Sequence, residues 1–212
     1  GNHDRYLAKA MLNRFKEGDQ YTGLININNI NDRGFGGGAR WGRGFSGMEE
    51  KQDYGFNFGV VREKYEIGGN VWYNDSERDN QSQSTSETFL QDRSSFSKGS
   101  NMSLNKNKNF NASLMLEWKP DTLTNILFRP SFSYGKGNSR SEGFSYTGDV
   151  DDFEDWEGMI ERGEAINTNQ SLSAGKNKSI SANGSLIANR KLHDMGRNLT
   201  FRADYGYGNS DS

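Results

Sequence analysis

Between residues 52 and 75, apolar side chains fall on every second position. Tyr54, Phe56, Phe58 and Val60 alternate with polar residues or glycine. After Arg62-Glu63-Lys64 the pattern restarts as Tyr65, Ile67, Gly69, Val71 and Tyr73. Period two is the mark of a strand with one apolar and one polar face, and two such runs around a short break make a hairpin. The signal recurs along the chain and predicts about eight antiparallel strands. They span 4–16, 20–30, 52–61, 65–75, 107–118, 124–137, 168–190 and 198–208. The four hairpins are then 4–30, 52–75, 107–137 and 168–208, an all-β, up-and-down meander.

The connections alternate in length. The short ones contain Glu17-Gly18-Asp19, Arg62-Glu63-Lys64, Lys119-Pro120-Asp121-Thr122-Leu123 and His193-Asp194-Met195-Gly196. The long ones are 31–50, 76–105 and 138–166, the last acidic with room for one helical turn. Long loops on one end and short turns on the other are the rule in transmembrane β-barrels. A barrel places 31–50, 76–105 and 138–166 outside the cell.

The two faces differ in chemistry. One carries Ala8, Ala10, Leu12, Ile25, Ile27, Phe110, Leu114, Phe128, Phe132, Leu186, Leu199 and Phe201 besides the residues above. The other carries Asn and Ser together with the charges Lys9, Glu66, Glu117, Arg129, Arg202 and Asp204, which a barrel turns toward its lumen. Of the strand aromatics, only Phe15 and Trp72 fall on the polar parity. Tyr6, Tyr54, Tyr73, Tyr134 and Tyr207 sit toward the long loops, and Tyr21, Tyr65 and Trp118 toward the short turns. Rings with a polar tip collect at the two membrane interfaces. Tyr65 to Tyr73 spans eight steps, about 26 Å along a strand and ~19 Å vertically at 45° tilt. Arg14 and Arg190 share the apolar parity but lie at turn ends, where a long side chain reaches headgroups. Pro130 falls inside a strand, where it removes a ladder hydrogen bond.

Composition narrows the picture. Only 32% of the 212 residues are hydrophobic, with 26 Gly and 2 Pro, which is low for a chain burying its own core. Aromatic residues make up 12%, too many for a disordered chain. A net charge of −2 does not indicate a nucleic-acid partner. There is no Cys, so there is neither a disulfide framework nor a thiolate metal site. No apolar run reaches the roughly 20 residues of a membrane helix, and Gly1–Ala10 has no signal-peptide pattern. We expect the chain to be a piece of a longer protein.

Candidate chemistry is sparse. Residues 32–47, DRGFGGGARWGRGFSG, combine Gly, Arg and aromatics. An RGG-like nucleic-acid segment has this composition, but placement between barrel strands favours an external loop. There Arg40, Trp41 and Arg43 are ligand candidates, because aromatics stack on sugar or apolar faces and Arg holds carboxylates or phosphates. Arg side chains at this position also suit lipopolysaccharide phosphates. Residues 148–165 bring Asp149, Asp151, Asp152, Glu154 and Asp155 together, without EF-hand spacing for Ca²⁺. Trp156 among them is a further stacking candidate. Gly34–Gly38 lacks the Lys-Ser/Thr of a P-loop. His3 and His193 are far apart, and no nucleophile–base pair or metal cluster is apparent, so neither an enzyme nor a cofactor is expected.

Two segments carry a family resemblance. DRYLAKAMLNRFKEGDQYTGLININNINDRGF, through Arg5, Tyr6, Asn13, Arg14, Phe15, Asn28, Asn29, Asn31, Gly34 and Phe35, resembles a segment of the outer-membrane β-barrel family linked to TonB-dependent receptors. LEWKPDTLTNILFRPSFSY, residues 116–134, resembles a second, with its WKPD turn. The resemblance implies a larger transmembrane barrel of which residues 1–212 are part of the wall. It implies a plug region, an energy-coupling protein, a nutrient ligand bound by external loops, and a Gram-negative outer membrane with its lipid and lipopolysaccharide. The ligand itself is not legible. Two alternatives remain at this point: a complete eight-stranded barrel closed between its first and last strands, and a soluble β-rich binding or adhesion module whose apolar face is its core.

Overall fold

The computed structural model describes residues 5–30, 48–89, 94–148, 158, 161–162, 165–193 and 196–212. Eight strands, β1 (Leu7–Lys16), β2 (Asp19–Asn28), β3 (Met48–Val61), β4 (Tyr65–Phe89), β5 (Ser94–Trp118), β6 (Thr124–Gly148), β7 (Ala165–His193) and β8 (Arg197–Asp211), follow one another in chain order. They form one sheet, each antiparallel to the next, with β1 and β8 at its edges. The expected all-β meander is what the chain forms.

The turn chemistry is local and readable. β1 and β2 meet through Glu17 (φ 45°) and Gly18 (φ 87°). Positive φ at both central residues is a type I′ turn, whose twist matches the strands it joins. A Cβ on Gly18 would also lie 3.1 Å from the Val61 carbonyl oxygen. Between β3 and β4, the Arg62 N–H donates to the Tyr65 carbonyl at 2.8 Å. Between β5 and β6, Asp121 accepts from the Leu123 N–H at 2.8 Å and from the Thr124 hydroxyl at 3.1 Å. Those bonds, the backbone one foremost, hold the Asp121 carboxyl below its ordinary range.

Two segments expected as long loops are mostly strand. β4 continues past Tyr73 to Phe89, and β5 begins at Ser94, so most of 76–105 is a paired ladder. Likewise β6 runs to Gly148 and β7 starts at Ala165, leaving 149–164 as the connection in place of 138–166. Apolar alternation stops at Tyr73, but backbone pairing does not need it. The Arg162 N–H donates to the Gly158 carbonyl at 3.0 Å, the bond of a single helical turn. At Pro130 the ladder opens on one side. Ser113 pairs with Ser131 and Leu116 with Phe128, while Leu114 and Met115 have no partner across from Arg129 and Pro130.

Among the described residues the sheet has no apolar core. The one buried apolar side chain among the described residues is Tyr146, whereas Asn26, Asn28, Asn29 and Asp53 are all buried. Most exposed large apolar residues lie on the apolar parity, among them Leu12, Ile25, Tyr54, Phe56, Tyr65, Val71, Trp118, Phe132, Leu199, Phe201, Tyr205 and Tyr207, while Leu7, Met11, Phe15 and Val61 are exposed on the other. A soluble sandwich requires a second layer on that side. The described residues form a single layer and leave it bare.

Candidate functional site

On the polar face, register assembles a row that spacing along the chain does not reveal. Asn26, Asp53, Asn74 and Asn109 are successive partners across β2, β3, β4 and β5. The Asn26 amide donates to Asp53 Oδ2 at 3.0 Å and the Asn74 amide to Asp53 Oδ1 at 2.7 Å. Asn109 donates to Asn74 Oδ1 at 3.5 Å and Asn28 to Asn26 Oδ1 at 3.3 Å. Lys51 Nζ lies 3.1 Å from Asp53 Oδ2. Asp53 is only 2% exposed, and a buried carboxylate persists only with such donors around it. Next to this row the Tyr6 N–H donates to Asn29 Oδ1 at 2.7 Å, while the Asn29 N–H donates to the Tyr6 carbonyl at 3.1 Å. Asn29 thus closes the β1–β2 ladder, while the Asn28 side chain bonds Asn26 on its own strand. Asp53 and Asn74 carry no sequence signal of their own, because only the register places them beside Asn26.

The six expected lumen charges fall into separate groups. Lys9 lies opposite Asn26 on β1. Glu66 and Glu117 are direct partners on β4 and β5. Glu117 accepts from Lys119 at 2.9 Å and from the Asn125 amide at 3.1 Å. Arg202 donates to Asp204 on the same strand through Nε at 2.8 Å and through a second nitrogen at 3.2 Å. Arg129 shares a row with Ser185 and Asp204. Among the described residues, no group of three or more His, Asp or Glu could hold a metal ion. Arg40, Trp41, Arg43 and Trp156, as well as the acidic cluster Asp149–Asp155, lie outside the described residues.

On the apolar face the aromatic residues form ordered bands. Tyr54, Tyr73, Phe110 and Tyr134 are consecutive cross-strand partners. Tyr54 and Tyr73 approach to 6.2 Å between ring centroids. Their hydroxyls donate to Gln52 and Asp75, each at 3.4 Å and each two residues toward the loop end. Both rings therefore lie on the apolar face with their polar tips pointing the same way. Tyr65 and Trp118 are partners at the turn end.

Tyr6, Tyr21 and Tyr207 step away from these rows in one direction, whereas the buried Tyr146 lies far outward on β6 and outside the bands. On β1 the row through Tyr54 passes Ala10, and Tyr6 lies four residues beyond it toward the loop end. On β8 the same row passes Asn209, and Tyr207 lies two residues short of it. At the turn end, Tyr21 on β2 is four residues from the row, and Tyr65 on β4 eight. Level from β3 to β6, the loop-end band is six residues lower at Tyr207 on β8 than at Tyr6 on β1, about 20 Å across seven strand spacings of about 33 Å in all. That is a slope of roughly 30°, near the strand tilt of closed barrels. A plane crossing tilted strands would cut the rows in this oblique manner.

No protein-family model matches the chain, and no curated protein matches it.

Proposed function

We propose that this chain is wall from an outer-membrane barrel of the TonB-dependent-receptor type, which takes up a nutrient ligand across a Gram-negative outer membrane. The observation that carries the reading is the pair of aromatic bands on an uncovered apolar face. A contiguous exposed apolar surface requires a partner. Lipid suits this one, because its edges carry Tyr and Trp and its middle carries Gly, Ala, Leu and Phe.

In this reading the opposite face lines the lumen. Its Asn, Ser and Asp rows hydrogen-bond to one another, with Asn26, Asn28 and Asp53 buried in the row and Asn109 and Ser131 exposed, as a polar pore lining or plug contact requires. Lys9, Glu66, Glu117, Arg129, Arg202 and Asp204 would meet a plug region or the passing ligand. The plug, the energy-coupling protein and release of the ligand by plug movement follow from the family resemblance of residues 4–35 and 116–134.

Two tryptophans on opposite parities test the reading. Trp118 is 45% exposed on the apolar face. Trp72 lies on the polar parity with its ring over Gly55. Single-Trp forms of the chain, reconstituted in brominated phospholipid vesicles, should show Trp118 quenched and Trp72 spared. Equal quenching of the two, or of neither, would sink the membrane reading.

A further inference from the structure

Immediately beyond the Tyr54–Tyr134 band, the apolar face turns cationic. Lys108, Lys136 and Lys178 are direct cross-strand partners on β5, β6 and β7, two residues past Phe110, Tyr134 and Ile180. The next row outward on this face pairs Lys106 with Asn138 and Asn138 with Lys176, and Arg140 follows two residues on. Lys106, Lys108, Lys136, Arg140, Lys176 and Lys178 are all exposed. Lys106 reaches Glu77 at 2.8 Å, Lys108 reaches Asp75 at 2.7 Å, and Arg140 pairs with Glu142. Lys136, Lys176 and Lys178 have no ion-pair partner among the described residues.

Like charges set directly opposite each other on neighbouring strands are destabilising. Lys136 faces a lysine on both sides; Lys108 is paired with Asp75, and Lys178 lies opposite Asp211 on β8 without an ion-pair contact among the described residues. A groove of about 480 Å³ opens beside them, lined by Lys106, Asn138, Arg140 and Lys176 with Leu104 and Ala174. Toward the sheet centre, Phe132, Tyr134 and Ile180 continue the same face. Cations therefore sit about 7 Å along the strand from the aromatic band, at the level where phosphates lie above acyl chains.

We propose that Lys136, Lys176 and Lys178, with Lys106, Lys108 and Arg140 around them, bind the phosphates of an outer-leaflet glycolipid, lipopolysaccharide in a Gram-negative outer membrane. The proposal rests on the membrane reading above and assigns that membrane's lipid a site. The acyl chains lie against Phe132, Tyr134 and Ile180. The phosphates bridge the unpaired lysines, and Leu104 and Ala174 pack on the C–H faces of the sugar that carries them. A lipid, rather than free phosphate, matches a cationic row bordered by an apolar face.

The test is binding of lipid A by the full chain in nanodiscs, read by native mass spectrometry, with Trp118 quenching recorded on the same preparations. Three ligands are compared: lipid A with both phosphates, lipid A with both phosphates removed, and inorganic phosphate. The triple variant K136Q/K176Q/K178Q should bind bis-phosphorylated lipid A at least tenfold more weakly than the parent. The control K16Q/K64Q/K191Q, which removes as many charges at the turn end, should bind like the parent. Equal binding by the parent and the K136Q/K176Q/K178Q variant overturns the proposal. Indifference to the lipid phosphates overturns it as well. Inorganic phosphate binding as tightly as the lipid would overturn the lipid assignment in favour of a soluble anion. If Trp118 is quenched in any of these outcomes, the membrane reading stands while the lipid site falls. If Trp118 is not quenched, both fall.

Discussion

The sheet has two halves built on different physics. Between the aromatic bands the strands alternate apolar and polar, broken at Met11, Trp72 and Met115 among others, and register places like with like: Phe56 opposite Val71, Val71 opposite Ala112, Ala112 opposite Phe132. Beyond the loop-end band, β4 to β7 continue for about fifteen more residues each with both parities largely polar. There the ladder is joined by Ser, Thr and Asn contacts, such as Ser97 to Thr147 at 2.9 Å and Ser141 to Asn101 at 3.0 Å, and by surface ion pairs. The inner half, in the proposed membrane reading, is matched to a surrounding apolar phase. The outer half gains nothing from one and stands on hydrogen bonds, each worth about 1 kcal/mol net.

The sharpest way to break this comparison is to place the same charge on the same parity of one strand in both halves. Leu114 is midway between Phe110 and Trp118 on β5, and Met102 lies on that face beyond the band, opposite Gln81 and Glu142. Leu114→Lys should cost about 2–4 kcal/mol, the penalty for a cation at the bilayer midplane. Met102→Lys should stay within about 0.5 kcal/mol. Reversible urea unfolding from lipid vesicles measures both. Equal effects would mean that the two halves share one environment.

Glycines sharpen the same contrast at smaller amplitude. A Cβ on Gly69, in the inner half, would lie 2.9 Å from the Ser113 carbonyl oxygen and 2.8 Å from the Phe58 ring. The carbonyl belongs to the ladder and cannot swing aside, so Gly69→Ala should cost about 1–3 kcal/mol through forced displacement. A Cβ on Gly175, in the outer half, meets only the Ser139 hydroxyl at 3.0 Å, which can rotate. Gly175→Ala should be neutral within about 0.5 kcal/mol, with loss of unfolded-state freedom working in its favour. The same unfolding assay reads both variants. A larger loss at Gly175 than at Gly69 would reverse the assignment of rigid and yielding halves.

That contrast also governs how much was legible before the structure. The inner half was readable because its environment imposes period two, so strand existence, parity and the tight turns at Gly18, Arg62–Lys64 and Asp121 all followed from residue type. In the outer half, 76–105 and 138–166 read as loops in the sequence, because polar residues on both parities leave no periodic trace of a strand. Only the partner reveals it, through pairs such as Asn80–Ser103 and Ser141–Ser173. The same limit hid Asp53. A single acid in LININNIN…EKQDYG is unremarkable, and the register that sets it between Asn26 and Asn74 joins residues far apart in the chain. The cationic row is a third case: Lys108, Lys136 and Lys178 are about thirty to forty residues apart and become neighbours only across β5, β6 and β7.

The smallest effect concerns the turn end, outside both halves. Arg62, between β3 and β4, grips Asp19 at the start of β2 through two bonds, 2.5 Å and 3.2 Å. The hydrogen bond from Arg62 lowers the Asp19 carboxyl below its ordinary 3.8, opposed by slight desolvation and aided by the charges of Arg62, Arg14 and Lys16. A depressed carboxylate contributes stability that is present above the unfolded value and is lost as pH falls through the folded one. The pair therefore acts fully at neutral pH and fades below 3.8. Solvent and salt screen so exposed a contact, so Arg62→Gln should lower the unfolding midpoint only slightly at pH 7. Below the folded value, where Asp19 is protonated in both proteins, the difference should vanish. A midpoint difference unchanged across that window would assign Arg62 a packing role in the turn, through its bond to the Val61 carbonyl at 2.9 Å, and would remove charge from the account of how β2 is joined to β3 and β4.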